Sequence, residues 1–263
     1  MNRESFKELI KIWYLKNGRH DLEWRLDLSP YSILVSELML QQTQVGRVRP
    51  KYRDFMFAFP KESNLAESDL GTVLRYWQGL GYNRRAKFLW EAVKRVADLG
   101  GFPTSVEDLE ELPGVGPYTA GAIAAFAYNQ PVVLLETNIR TVFIHHFFPE
   151  EIAVDDARLL PLVNETLDVL HPREWYWALM DYGSYLKSSA GNASRRSKQY
   201  VKQSKFAGSR RQTRGKILRE LAEGAKTKAG LAAVFADCTH FLTAIEDLVN
   251  EGMIQTDMYR YWL

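Results

Sequence analysis

The stretch LPGVGPYTAGAI, residues 112–123, carries most of what this sequence says about its fold. Leu112, Pro113, Gly114, Val115 and Gly116 predict a tight hairpin between two helices. Glycine reaches positive φ without steric cost and lets another backbone come close. The helix that follows opens with N–H groups that have no partner within it, a favourable seat for a phosphate. Ala120, Gly121, Ala122, Ala124 and Ala125 give that helix a small-residue face for close packing. These features predict a hairpin that grips a nucleic-acid backbone without reading its sequence. A plain glycine-containing helical hairpin is the competing reading.

Outward from the hairpin, apolar residues recur at helical spacing. Helices are predicted near 4–17, from Pro30 to Val45, and near 50–58, 67–77, 84–98, 105–111, 117–128, 137–147, 156–170 and 173–186. Ser29 is placed to cap the second, with Pro30 in its first turn. No alternating strand is predicted before the last dozen residues. Residues 187–209, rich in Ser, Lys, Arg and Gln, read as a linker. Helices at 210–223, 227–235 and 239–251, then a terminal β-ribbon, have the layout of a winged helix, a shape that serves DNA or protein contacts.

The composition, 46% apolar and 25% charged, is that of an ordinary globular protein. No apolar run reaches membrane-spanning length, and the first twenty residues lack a signal-peptide layout. A cytoplasmic protein without a membrane partner is expected. Cys238 is the one cysteine, which excludes an internal disulfide and an all-cysteine metal site within the chain. The net charge is only +2, but Lys187 to Lys216 holds ten Lys or Arg and no Asp or Glu. That run is a candidate polyanion contact or a solvated basic linker.

Two carboxylates stand out. Glu37 lies in SELMLQQTQV, residues 36–45. On a continuous helix its neighbours are Ile33, Leu34, Leu40 and Gln41, with Gln44 two turns on. Among such apolar neighbours a carboxyl is desolvated and can hold a proton near neutral pH, as a general acid must. A solvated or salt-bridged surface Glu is the bland alternative. Glu136 ends the apolar run PVVLLE just before a helix, where the helix dipole favours the ionised form. It could simply cap that helix, although Thr137 or Asn138 could cap instead and leave Glu136 free. One protonated and one ionised carboxyl suit glycosidic-bond chemistry. His145 and His146, adjacent on a helix, point to different sides, so no metal site is predicted there.

The strings SELMLQQTQV, YWQGLGYNRRAKFL, LPGVGPYTAGAI and ETNIRTV, in this order, resemble the helix-hairpin-helix (HhH-GPD) DNA glycosylases, on their MutY-type adenine DNA glycosylase branch. The likeness runs from about Trp24-Arg25 to Met180-Asp181-Tyr182-Gly183. It implies an all-α fold of two helical lobes with a catalytic cleft, here spanning 1–186. A basic linker (187–209) and a small winged-helix-like domain (210–263) would follow. It also implies bending of duplex DNA and extrusion of the target nucleotide. By the same resemblance, Glu37 protonates the departing base, the Glu136 position stabilises the sugar cation, and Tyr118 and Asn138 lie by the reacting nucleotide. Lyase relatives carry lysine at the Tyr118 position, so a monofunctional hydrolase is implied. Gln41, Gln42 and Gln44 would border the lesion pair. Tyr82, Asn83, Arg84, Arg85, Leu112, Gly114, Val115, Gly116, Thr119, Arg195, Arg196 and Lys198 would contact DNA. Trp24, Arg25 and Leu40 would line the substrate pocket. The partner implied is double-stranded DNA with a lesion or mismatch, bound by a monomer near the nucleoid.

The chain departs from the family pattern at four places. Glu136-Thr137-Asn138 stands where the family has Asp-Gly-Asn, moving the carboxylate by about 1.5 Å. The four cysteines of the family's iron–sulfur loop align with Lys187, Ser194, Ser197 and Gln203, so no cluster is expected. No other cofactor is implied, save a monovalent cation that the hairpin carbonyls can hold. The family's second tyrosine after GLGY is Asn83. The winged-helix-like layout stands where the family carries its 8-oxoguanine recognition domain, so that domain is not expected. Adenine is the expected base, with hypoxanthine, a mismatched pyrimidine or a non-catalytic damage-binding module as alternatives.

Overall fold

In the computed structural model, residues 1–202 and 205–263 are described. Gln203, aligned with the fourth cluster cysteine, lies outside them. In chain order the helices are α1 (Arg3–Asn17), α2 (Glu23–Leu26), α3 (Pro30–Leu40), α4 (Val45–Ala58), α5 (Glu62–Ala66), α6 (Leu70–Tyr76), α7 (Arg84–Asp98), α8 (Val106–Glu110), α9 (Pro117–Phe126), α10 (Thr137–Phe147), α11 (Asp156–Thr166), α12 (Pro172–Ser189), α13 (Arg210–Ala222), α14 (Lys228–Val234) and α15 (Phe241–Asn250). Three short strands, β1 (Lys226–Thr227), β2 (Gln255–Thr256) and β3 (Arg260–Trp262), form an antiparallel sheet in the order β1-β3-β2. The molecule is all-α in class, as expected. Among the described residues no helix is long and apolar enough to cross a membrane.

The chain divides into two compact units. The first holds residues 1–33, 104–110 and 116–202; the second holds 34–103, 111–115 and 203–263. The first unit is built on aromatic packing. Phe6 of α1 lies 5.2 Å from Phe143 and 5.0 Å from Phe147 of α10, and 6.2 Å from Trp175 of α12, ring centre to ring centre. Gly183 lets α12 come close to α10, since a Cβ there would stand 2.3 Å from the Asn138 carbonyl oxygen. Tyr176 Oη donates to Val132 O at 2.7 Å and accepts from Leu134 N at 3.0 Å, which pins the extended approach to α10.

The second unit packs Trp77, Phe55, Leu65 and Leu89 in its interior. Its C-terminal part buries Ile217, Leu218 and Leu221 of α13 with Ala244, Ile245 and Leu248 of α15. Capping follows ordinary rules: Ser209 opens α13 by accepting from Gln212 N, and Thr227 opens α14 by accepting from Gly230 N at 3.0 Å.

The structure corrects several sequence readings. The helix expected from Pro30 to Val45 stops at Leu40, and α4 starts at Val45 and runs through Pro50. The helix expected over 67–77 is α6, which starts at Leu70, α5 before it was not expected, and α11 ends at Thr166 rather than near 170. β1 is a strand that two residues of sequence could not announce. The expected linker is structured at its start: Lys187–Ser189 complete α12, and Ala193–Arg196 form a 3-10 turn.

Candidate active site

Glu136 is the N-cap of α10. One carboxylate oxygen accepts from Asn138 N at 2.6 Å and Ile139 N at 3.0 Å, and the other from Asn138 Nδ2 at 3.2 Å. Of the two readings left open, the cap falls to Glu136 and not to Thr137 or Asn138. An extended N-cap backbone lets the longer Glu side chain fold back onto the free N–H groups of the first turn. Lys187, at the end of α12, donates from Nζ to Asn138 Oδ1 at 2.7 Å. Burial pushes the Glu136 carboxyl up from its ordinary value, against the opposing pull of Lys187 and the Ile139 and Asn138 N–H groups. Burial likewise pushes the Lys187 ammonium down, against Glu136. Sequence reading missed Lys187 in this role; the only signal was a lysine at a position aligned with a cluster cysteine.

Glu37 and Leu40 sit in the last two turns of α3, half-buried in the second unit, among the buried Leu34, Leu38 and Met39. The apolar setting expected for Glu37 is present. The expected stripe with Gln41 and Gln44 is absent, because both glutamines lie beyond the helix end. Gln42 turns the chain with φ of +56°, and Gln44 caps α4. The cause is Arg85. Its Nη1 donates to Leu38 O at 2.6 Å, Met39 O at 3.0 Å and Gln41 O at 2.6 Å, and its Nη2 donates to Leu80 O and Gly81 O at 3.2 and 3.0 Å. A guanidinium thus takes the carbonyls that a longer helix would have bonded itself. Burial pushes this guanidinium down to about 10, still charged at neutral pH. Arg85 was expected to touch DNA; it is 7% exposed and holds two turns together instead.

Other expected contacts also have partners within the chain, some buried and some, like Arg84 and Lys198, in surface ion pairs. Arg25 forms a two-pronged ion pair with Asp181, both contacts at 2.8 Å, and is buried with Trp24. Thr119 is buried in α9. Arg196 donates to the carbonyls of Phe148, Pro149 and Glu151 at 2.6, 2.7 and 2.9 Å. Lys198 pairs with Asp155 at 3.1 Å, and Arg84 with Glu251 at 2.6 Å. Arg195 is exposed. Tyr118, half-buried, stands in the first turn of α9. Tyr82, at φ of +48°, and Asn83 are half-buried in the turn before α7.

In the hairpin, Gly114 has φ of +74°, and a Cβ there would lie 2.3 Å from Phe88 Cβ. The predicted need for glycine holds at this position. Gly116 is extended, at φ of −94°, and caps α9. Leu112 and Val115 are buried, so their side chains anchor the turn and only backbone groups are left to meet a phosphate.

An iron–sulfur cluster does not fit these residues. Ser194 and Ser197 are buried, and Asn192 Oδ1 accepts from Ser194 N at 3.1 Å and Oγ at 2.6 Å. Hydroxyls and an ammonium stand where thiolates would be needed, and Cys238 lies beside Thr213 in the second unit.

A family model for HhH-GPD superfamily base excision DNA repair proteins matches residues 35–159. The adenine DNA glycosylase of Mycolicibacterium smegmatis is 34% identical over 272 residues, covering 92% of this chain and 90% of its own. That of Buchnera aphidicola subsp. Baizongia pistaciae is 35% identical over 187 residues, 69% of this chain and 52% of its own. The chain thus spans about half the length of the Buchnera relative. Among solved structures, a thermostable thymine-DNA glycosylase aligns with a TM-score of 0.60 at 24% identity, over 69% of this chain and 86% of that one, a likeness of fold. With a 34% identical relative matched over nearly its whole length, the chain belongs to the HhH-GPD superfamily of base excision DNA repair proteins and is MutY-like within it.

Proposed function

We propose that the chain is a monofunctional DNA glycosylase that extrudes a base from mispaired or damaged duplex DNA and hydrolyses its N-glycosidic bond, with adenine as the base. Glu37 delivers a proton to the departing purine. Glu136, ionised, stabilises the positive charge that grows on the sugar and helps align the incoming water. Tyr118, with no amine to form a Schiff base, leaves the strand uncut. The observation that carries this reading is Glu136 itself. A buried carboxyl gripped by three N–H donors at a helix start is held in one position, and Lys187 and those donors oppose the rise that burial imposes on it. The likeness to adenine DNA glycosylases supplies the base.

A panel of duplexes with single modified or mispaired bases, each tried against several opposite bases and followed by alkali cleavage, tests this. Adenine should be released over multiple turnovers, and Glu37→Gln should abolish the release. Survival of adenine with release of hypoxanthine or a mismatched pyrimidine would change the base and keep the chemistry. Tight binding with no release of any base would mean a damage-recognition protein on a glycosylase fold.

A further inference from the structure

The second unit contains a groove of about 850 Å³ whose walls come from the turns at 41–43 and 78–85 and from helix α13. Eight Lys or Arg side chains line it, against Asp247 and Glu251. Those two carboxylates are already taken up: Asp247 by Arg210, and Glu251 by Arg214 at 2.5 Å and Arg84 at 2.6 Å. Arg47, Lys216 and Arg219 also line the groove and are exposed. The cavity is therefore strongly positive although the whole chain carries only +2.

A second observation comes from Gly215. It sits in the interior of α13, where glycine costs about 1 kcal/mol relative to alanine. Packing does not call for it, since a Cβ there would meet no heavy atom within 4 Å. It lines the groove. Arg211 and Arg219 lie four residues to either side of it on the helix, and Gln212 three residues before, so all share its face. A bare stretch of helix flanked by cations is where a bulky anionic chain can come close. The rest of the lining is mixed: Gln41, Gln42, Thr43, Gln78 and Asn83 stand beside Leu80, Tyr82 and Phe206. The core of a protein-binding surface is depleted of charged residues, whereas nucleic-acid interfaces are strongly positive, and the eight cations of the groove favour the second.

We propose that the Gly215 face of α13 and the two facing turns form a second binding site for the sugar–phosphate backbone of duplex DNA, separate from the hairpin. It deepens the glycosylase reading and rests on it for the choice of DNA. In this site Lys216, Arg219 and Arg47 meet phosphates, and Gly215 lets one strand lie against the helix. Arg211 stands over the Tyr82 ring, 4.9 Å from its centre, and donates to its hydroxyl. It thereby ties the wall built by α13 to the strained turn at Tyr82. The C-terminal helices would thus add duplex grip that the buried Arg85 and the carbonyl-bound Arg196 cannot supply.

The test is equilibrium binding of undamaged and mispaired duplexes by the full chain at several salt concentrations. Gly215→Leu should keep or raise Tm, because leucine favours helix and meets open space, yet weaken duplex affinity about tenfold or more. Lys216→Ala with Arg219→Ala should lower the slope of log affinity against log salt by about 1.8, or 0.9 for each phosphate lost. Lys16→Ala with Arg95→Ala, exposed cations outside the groove, should leave the slope unchanged. Unchanged affinity in Gly215→Leu with an unchanged slope in the double variant overturns the proposal and leaves an acidic protein surface as the occupant. An equal loss of slope in the control pair also overturns it, since the attraction would then be diffuse. The outcomes separate from the hydrolase reading. Loss of duplex affinity in Gly215→Leu by a protein that releases no base keeps the groove and rejects the enzyme. Base release with indifferent groove variants does the reverse.

Discussion

Glu136 caps a helix, and on the proposed mechanism the same carboxylate serves the reaction. Its carboxylate satisfies the first-turn N–H groups of α10, which any good cap would do. Burial raises its carboxyl above the ordinary value, and Lys187 works against that rise. On the proposed mechanism only the ionised form is competent, so the rate falls as pH drops through this raised value. Lys187→Met removes the opposing charge and should move the acid limb of the pH–rate profile to higher pH; an unmoved limb would reduce Lys187 to packing. Glu136→Gln keeps an acceptor for the cap and should lower turnover at least about a hundredfold while largely sparing DNA affinity. Retained activity with only a lower Tm would leave Glu136 a cap. His146 offers a second titration. Burial, then the neighbouring His145, holds its imidazole down to about 4 from 6.5, and its Nε2 lies 3.1 Å from Tyr182 Oη. Between those two values the unfolded chain binds a proton that the folded chain refuses. Stability from this group is therefore complete above pH 6.5 and declines as pH falls toward 4. In His146→Phe, Tm should vary less over that window, and an undiminished slope would assign the effect to other groups.

At the scale of elements, the end of α3 shows what a sequence can and cannot disclose. Ser29 and Pro30 announce the helix start, and Ser29 Oγ does accept from Ser32 N at 3.2 Å. Nothing local to QQTQV announces the stop, because Arg85, more than forty residues on, supplies it. A long-range cap leaves no short-range pattern. The same holds for the polar links from Lys187 to Asn138 and from Arg25 to Asp181. By contrast, Gly114 was readable, since only a residue without Cβ fits against Phe88 at that φ. Apolar periodicity was equally readable in α7 and α10, whose predicted and observed bounds nearly coincide. Arg85→Met would remove a donor from six carbonyls, those of Leu38, Met39, Gln41, Leu80, Gly81 and Tyr82, and should destabilise the protein by about 3 kcal/mol or more in urea unfolding. Arg85→Lys should not restore it, since one ammonium cannot span both turns. A near-wild-type midpoint for either variant would show that water or another side chain satisfies the carbonyls.

Across the whole molecule, the segment that follows α12 is held by distributed hydrogen bonds, with Ser194 and Ser197 at positions that the family resemblance aligns with cluster cysteines. Asn192 ties down Ser194, the Arg196 guanidinium gathers the carbonyls of Phe148, Pro149 and Glu151, and Val154 forms a parallel bridge to Ser197. Each bond is modest alone, about 1 kcal/mol net, and somewhat more where a guanidinium donates. Several such bonds together can hold a short loop on a packed core without a metal. Two outcomes follow from this arrangement. Strong chelators and mild oxidants should leave Tm and DNA binding unchanged, because no thiolate-held metal contributes to folding. Arg196→Ala should lower Tm by about 3–6 °C through the loss of its three acceptors. A chelator-sensitive Tm, together with an indifferent Arg196→Ala, would mean that an ion and not the guanidinium organises the loop.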